Sequence, residues 1–187
     1  GIVPLTQVEK IYSDSLSIAL LDKDNLIPPL PPPTDRDYLP KPPTEKAFSD
    51  CCNEFWWVCS YAAKGLWREE IIYAKKMIDM YIREELNKML NWYIGVTTSF
   101  HVNPGKYGKY YDHFLGPELW QLLLSTYADS GYKNSWDALF AMGELFRNIA
   151  IPVAAHFGFH YPYQDDSNVS AHLKHVRNLP ADASDMY

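Results

Sequence analysis

The sequence predicts an all-α protein, an up-and-down helical bundle preceded by an extended, proline-rich arm. Three observations carry that expectation. Eight of the fourteen prolines (Pro28, Pro29, Pro31, Pro32, Pro33, Pro40, Pro42 and Pro43) crowd into residues 28–43, a density that neither a helix nor a central strand accepts, because each proline lacks the backbone N–H that either structure needs. From residue 44 onward apolar residues recur at helical spacing and proline occurs only at breaks or kinks. No stretch of that region alternates with the two-residue period of a strand over useful length.

In chain order, Gly1-Ile2-Val3-Pro4-Leu5 reads as the end of a strand, and residues 8–21 as a short helix. The proline-rich arm follows, either a spacer between domains or a ligand for a proline-binding module. Thr44 with Phe48, or Ser49 with Asp50, opens the first long helix, which runs through Glu54-Phe55-Trp56-Trp57 to Lys64-Gly65. Helical patterns over 68–80 and 82–97 come next, nearly continuous. Asn103-Pro104-Gly105 reads as a turn and 106–115 as a short helix. Gly116-Pro117 breaks that helix and puts Pro117 at the first position of the next, over 118–127. Asp129-Ser130-Gly131 is a loop, after which Ser135 caps a long helix towards Phe157, with a kink expected at Pro152. Tyr161-Pro162-Tyr163 is again a loop. Asp165, Asp166 or Ser167 caps a last helix that continues to about Leu179 and stops at Pro180.

The 187 residues carry a formal charge of −6, which disfavours a nucleic-acid partner, since tracking phosphates requires a basic stripe. No run approaches 18 apolar residues and no basic segment opens the chain, so neither a membrane span nor a secretion signal is expected. Cys51, Cys52 and Cys59 are odd in number and clustered, which is no disulfide framework and fits a reducing, cytoplasmic location.

The helix at 50–68 holds the most informative pattern. Cys52, Phe55, Val58, Cys59, Ala62 and Leu66 form an apolar face. Asn53, Glu54, Trp57, Tyr61, Lys64 and Arg68 fall on another, at offsets of three and four. Aromatic rings beside one carboxylate suit a cationic ligand through cation–π contact and ion pairing; a second packing face with Glu54 and Lys64 paired locally is the alternative. Lys106 and Lys109, at a predicted helix start, suit phosphate oxygens but lack the spacing of a P-loop, and fit a basic surface turn equally well. Asp22-Lys23-Asp24 and Asp35-Arg36-Asp37 have the spacing of a Mg²⁺-binding pair, but neither sits on a strand. Turn capping and solvation explain them better. His156 with His160, and His172 with His175, lack further ligands for zinc, so no metal site is expected.

Several stretches together resemble a known family. They are Leu21-Asp22-Lys23-Asp24-Asn25, Pro31-Pro32-Pro33-Thr34-Asp35-Arg36-Asp37-Tyr38, Cys51-Cys52-Asn53-Glu54-Phe55-Trp56-Trp57, Ala63-Lys64-Gly65-Leu66-Trp67-Arg68, Met89-Leu90-Asn91-Trp92-Tyr93-Ile94-Gly95 and Gly105-Lys106-Tyr107-Gly108-Lys109-Tyr110, then Ala138-Leu139-Phe140, Leu145-Phe146-Arg147 and His175-Val176-Arg177-Asn178-Leu179-Pro180. In this order, from about residue 2 to residue 182, they resemble the C-terminal part of the bacterial aminoglycoside 6-adenylyltransferases, the streptomycin-modifying resistance enzymes.

The resemblance implies a two-domain enzyme that transfers AMP from Mg-ATP to the 6-hydroxyl of streptomycin. Its N-terminal α/β domain holds the metal and nucleotide, and a helical bundle of the nucleotidyltransferase substrate-binding type helps form the drug cleft. On that basis residues 1–27 are expected to be the end of the catalytic domain, 28–43 a linker, 44–182 the substrate-binding domain and 183–187 a tail. The chain alone is expected to bind substrate without useful transferase activity and without a cofactor of its own, since Mg and ATP belong to the complete enzyme. Glu54 is implied as a drug contact and as the base for the hydroxyl proton, with Asp50, Trp57 and Tyr61 lining the drug site. Lys64, Arg68, Lys106 and Lys109 are implied as contacts to the ATP phosphates. Self-association through a bared surface is a further expectation. A non-catalytic helical binding module and one half of a split enzyme are the competing readings.

Overall fold

Thr44 opens the first helix in the way its side chain allows: the hydroxyl accepts a hydrogen bond from the Ala47 backbone N–H at 3.1 Å, and α1 runs over Glu45–Trp67. The structure, a computed structural model, describes residues 14–25, 27, 29–180 and 183, and all its regular elements are helical. After α1 come α2 (Ile71–Lys76), a π-helical segment (Met77–Ile82) and α3 (Arg83–Thr97), which form one continuous rod. A 3₁₀ turn (Lys106–Gly108), α4 (Tyr111–Phe114), α5 (Pro117–Ser125), α6 (Tyr132–Phe157) and α7 (Tyr163–Arg177) complete the order.

The periodicity of α1 settles its place. Cys52, Phe55, Val58, Cys59, Ala62 and Leu66 are all buried, and α1 packs against α2, α3, α6 and α7. Phe55 stacks on Phe146 of α6 with ring centroids 3.8 Å apart, and Trp56 meets both rings edge-on. Fully burying such a ring contributes about 1.5–3 kcal/mol, and the ring pairing adds about 0.5–1.5 kcal/mol. Antiparallel packing of α1 on the rod is fixed where Cys51 Sγ lies 3.4 Å from the Glu85 carbonyl.

Helix boundaries differ from expectation at four points, each for a local reason. The break after α1 falls at 68–70: Glu69 turns left-handed (φ 57°), and the Glu70 N–H donates back to the Gly65 carbonyl at 2.8 Å. A Cβ at Gly65 would stand 2.7 Å from the Tyr73 ring, so glycine is what lets α2 fold back so closely. No break separates residues 80 and 82; the π segment absorbs the change of register and delivers Arg83 into a buried position. There its Nη2 donates to the Thr126 carbonyl at 2.8 Å, and the guanidinium lies 3.9 Å over the Tyr127 ring. Residues 106–115 form two short pieces, because Tyr107 and Gly108 both take left-handed angles.

Finally, α6 starts at Tyr132, ahead of Ser135. Asp129 closes the preceding loop by accepting from the Gly131 N–H at 2.8 Å and from the Asn134 side chain. The helix continues through the exposed Pro152 to Phe157 and stops at Gly158, whose φ of 72° suits a residue without Cβ. Asp165 and Asp166 sit in the first turn of α7, but Asp166 turns inward instead of capping.

The strand end expected at residues 1–5 lies outside the described residues, as does the first part of the helix expected over 8–21. Residues 14–21 form no helix; a turn at 14–16 leads into irregular chain. Of the proline-rich segment, the described residues carry no helix or strand besides a 3₁₀ turn at Arg36–Tyr38. That segment is tied to residues 14–15: the Thr34 N–H donates to the Ser15 carbonyl, the Ser15 N–H to Asp37, and the Tyr38 hydroxyl to Asp14. Asp37 thus ties the arm to Ser15, whereas Asp22 closes a local turn by accepting from the Ile27 N–H at 2.8 Å.

Candidate substrate-binding face

The side of α1 opposite its buried face is the polar stripe. At 100° per residue, Asp50, Glu54, Trp57, Tyr61, Lys64 and Arg68 share one edge of the helix over about 27 Å. Asp50, Glu54, Trp57 and Arg68 on that edge are exposed, Trp57 to 58%, whereas Tyr61 and Lys64 are half-buried and Tyr61 packs against the core. The indole is nevertheless held in place: its Nε1–H donates to the Tyr61 hydroxyl at 3.0 Å, the rings meet edge-on at 5.8 Å, and Lys64 Nζ lies 5.1 Å over the Tyr61 ring. An exposed aromatic ladder fixed by its own contacts offers ring faces to a ligand at little ordering cost.

Charges along this edge differ in their freedom. Lys46 pairs with Asp50 one turn earlier, which offsets that carboxylate. Glu54 is exposed and makes no hydrogen bond or ion pair with a described residue; it does not pair with Lys64. An exposed carboxylate on the same helix edge as two rings is the arrangement a cationic ligand needs. At the N-terminal end of the stripe, Asp50 and Asn53 border a cavity of about 670 Å³ together with Glu45, His160 and Asp165.

The four cations expected to act together on phosphates are not brought together. Lys64 and Arg68 lie at the C-terminal end of α1, where Arg68 borders a cavity with Tyr132 and Trp136. Lys106 borders a different cavity with Tyr38, Lys88 and Trp92. Because α1 and the rod are antiparallel, that second cavity lies towards the N-terminal end of α1, some 20–25 Å of helix away. Lys106 and Lys109 also lack the helix start foreseen behind them, since α4 is only four residues long. Each ammonium instead covers a tyrosine ring, at 5.1 and 4.6 Å.

Among the described residues no three His, Cys, Asp or Glu side chains come together as a metal site. The donor set therefore does not fit Mg²⁺, and the chemistry of a metal is not assigned to these residues.

A second constellation had no motif to announce it. Asp166, buried at the start of α7, accepts from Arg147 Nε at 2.6 Å, from Arg147 Nη2, from the Tyr161 hydroxyl at 2.9 Å and from the Ser170 hydroxyl at 3.1 Å. Burial alone would raise its pKa, but the donors from Arg147 and Tyr161 prevail and hold the carboxyl below its ordinary value. Arg147 borders a cleft of about 1090 Å³ between α5, α6 and α7. Leu145-Phe146-Arg147 and Asp165-Asp166 carry these residues in the sequence, but only packing pairs them.

Comparison with known proteins gives this geometry a family. The model of a family described as streptomycin adenylyltransferase matches residues 1–176. The chain belongs to the streptomycin adenylyltransferase family. Within that family it is similar to the aminoglycoside 6-adenylyltransferase of Campylobacter jejuni, 39% identical over 166 residues, which are 88% of this chain and 58% of that protein. The enzyme of the same name from Bacillus subtilis is 36% identical over 167 residues, 88% of this chain and 59% of the relative. A crystal structure of an aminoglycoside 6-adenyltransferase from Bacillus subtilis superposes with a TM-score of 0.68 at 29% identity, covering 95% of this chain and 65% of that one. The chain thus spans less than two thirds of the length of these relatives. The streptomycin adenylyltransferase match includes the whole of α1, and with it every residue of the polar stripe.

Proposed function

We propose that this chain is the aminoglycoside-facing, helical part of an enzyme that transfers AMP from Mg-ATP to the 6-hydroxyl of streptomycin. The exposed edge of α1 is the drug surface. The observation that carries this reading is Glu54, unpaired among the described residues, on the same edge as the Trp57–Tyr61 ladder of a helix whose opposite face is buried. Guanidinium and ammonium groups of an aminoglycoside meet a carboxylate and two ring faces there.

Within such an enzyme Glu54 holds the attacking hydroxyl and takes its proton as the new O–P bond forms and pyrophosphate departs. Lys64 and Arg68, the cations that share this edge, face the negative charge that leaves. Lys106 and Lys109, at the other end of α1, are assigned to the surface instead. Mg²⁺ and the nucleotide base are assigned to residues outside the described bundle, so this face positions one substrate against the other.

Calorimetric titration with streptomycin tests the reading. The parent chain is expected to bind one equivalent, Glu54→Gln and Trp57→Ala to weaken binding at least about tenfold, a loss of about 1.4 kcal/mol, and both variants to keep the parent's helical signal. Equal binding by parent and variants would place the drug elsewhere.

A further inference from the structure

The cleft between α5, α6 and α7 shares no lining residue with the α1 edge, and the proposed transfer makes no use of it. Its volume, about 1090 Å³, matches that of small-molecule sites. Arg147 is built into its wall. Nε and Nη2 are both committed to Asp166, and Nη2 also donates to Ser170 at 3.2 Å. The plane is further fixed by the Trp56 ring, 5.8 Å from the guanidinium carbon. Nη1 of this oriented fork has no hydrogen-bond partner among the described residues, and orienting a donor in advance is what makes such a group selective.

Two further charges border the same cleft. Lys174 of α7 and Glu144 of α6 are exposed and belong to no ion pair among the described residues, whereas Arg177 and Asp137 at the far end are joined at 2.6 Å. An anion alone would profit from Lys174 and Arg147 but meet the field of Glu144, and a cation alone would meet the reverse. A molecule carrying both signs satisfies all three groups.

We propose that this cleft binds a small amphoteric molecule, its oxyanion on Arg147 Nη1 and Lys174 and its ammonium group on Glu144. Phosphate and carboxylate share this chemistry, and the test separates them. Three probes are titrated at constant ionic strength into the full chain: O-phosphoethanolamine, γ-aminobutyrate and inorganic phosphate. The readout is the shift of the amide resonances of Ala141 and Gly143, which line the cleft.

At least one amphoteric probe is expected to saturate, about fivefold tighter than inorganic phosphate; the tighter of the two identifies the anion. Glu144→Gln should erase that preference, and Lys174→Ala should weaken whichever probe binds. Both positions are exposed, so neither change threatens the fold. Lys64→Ala, on the α1 edge, should alter nothing. The proposal is overturned if no amphoteric probe saturates by about 20 mM, a generous range for so small a ligand. It is equally overturned if inorganic phosphate binds as well as both, or if Lys64→Ala abolishes the shifts while Lys174→Ala spares them. Loss of streptomycin binding in Trp57→Ala bears only on the α1 edge, so the two readings fail separately.

Discussion

Replacing Asp166 by asparagine keeps the side chain's shape and removes its charge, which isolates the electrostatic work of the α6–α7 junction. The carboxylate accepts four hydrogen bonds, two from Arg147 and one each from Tyr161 and Ser170. Asparagine has one acceptor oxygen, and its amide N–H₂ would face a guanidinium N–H or a hydroxyl. At least one charge-assisted bond to Arg147 is therefore lost, at about 1.5–3 kcal/mol, together with part of the Tyr161 or Ser170 contact. Breaking a fully buried pair costs about 3–5 kcal/mol, but the Arg147 side chain is 37% exposed and can turn to water, so about 2–3 kcal/mol is expected.

For a chain of this size that lowers Tm by about 4–12 °C. The pH dependence follows from the depressed pKa of Asp166. A folded-state value below the unfolded one, near 3.8, means the contribution is complete above that pH and is lost as pH falls through the folded value. Denaturant unfolding of parent and Asp166→Asn should thus differ fully at pH 7 and converge below about pH 4. A difference under about 0.5 kcal/mol at pH 7, or one that does not shrink in acid, would show that this junction is held by apolar packing alone.

Other consequences can be measured directly. Cys51, Cys52 and Cys59 are buried with their thiol pKa values pushed up by burial, to about 12 for Cys52, so a disulfide-exchange reagent at pH 8 should label none in the native protein and three in denaturant. Gly158 ends α6 at a positive φ with open space around it, so Gly158→Ala should cost about 1 kcal/mol of strain without a clash, read by thermal unfolding. Phe55→Ala empties a position stacked on Phe146 and should cost about 3–5 kcal/mol, whereas Trp57→Ala, about half a turn further round the helix, should change stability by under about 1 kcal/mol while weakening streptomycin binding at least about tenfold. That contrast separates the two faces of one helix.

Much of the architecture could be read in advance because its signals are local. The apolar face of α1, the proline at the first position of α5 and the breaks at Gly116 and Gly131 follow from side-chain spacing and from what glycine and proline do to a backbone. The failures share a cause too. Nothing between residues 80 and 82 distinguishes a π segment from an ordinary helix, since the stretch is stabilised by Arg83 reaching Thr126 across the fold. Asp166 reads as a cap candidate beside Asp165 and Ser167 because capping is what an aspartate near a helix start usually does; Arg147, 19 residues away, draws it inward.

The site divides along the same line. Helical spacing alone put Glu54, Trp57, Tyr61 and Lys64 on one edge, because 3.6 residues per turn is a property of the chain itself. Whether that edge stood in water, and which of its charges were already paired, depended on where the other helices packed. So did the separation of Lys106 and Lys109 from Lys64 and Arg68, and the cleft around Arg147. Periodicity is written residue by residue and survives in the sequence. The joining of distant residues is decided by the burial of all the helices at once, and only the tertiary structure records it.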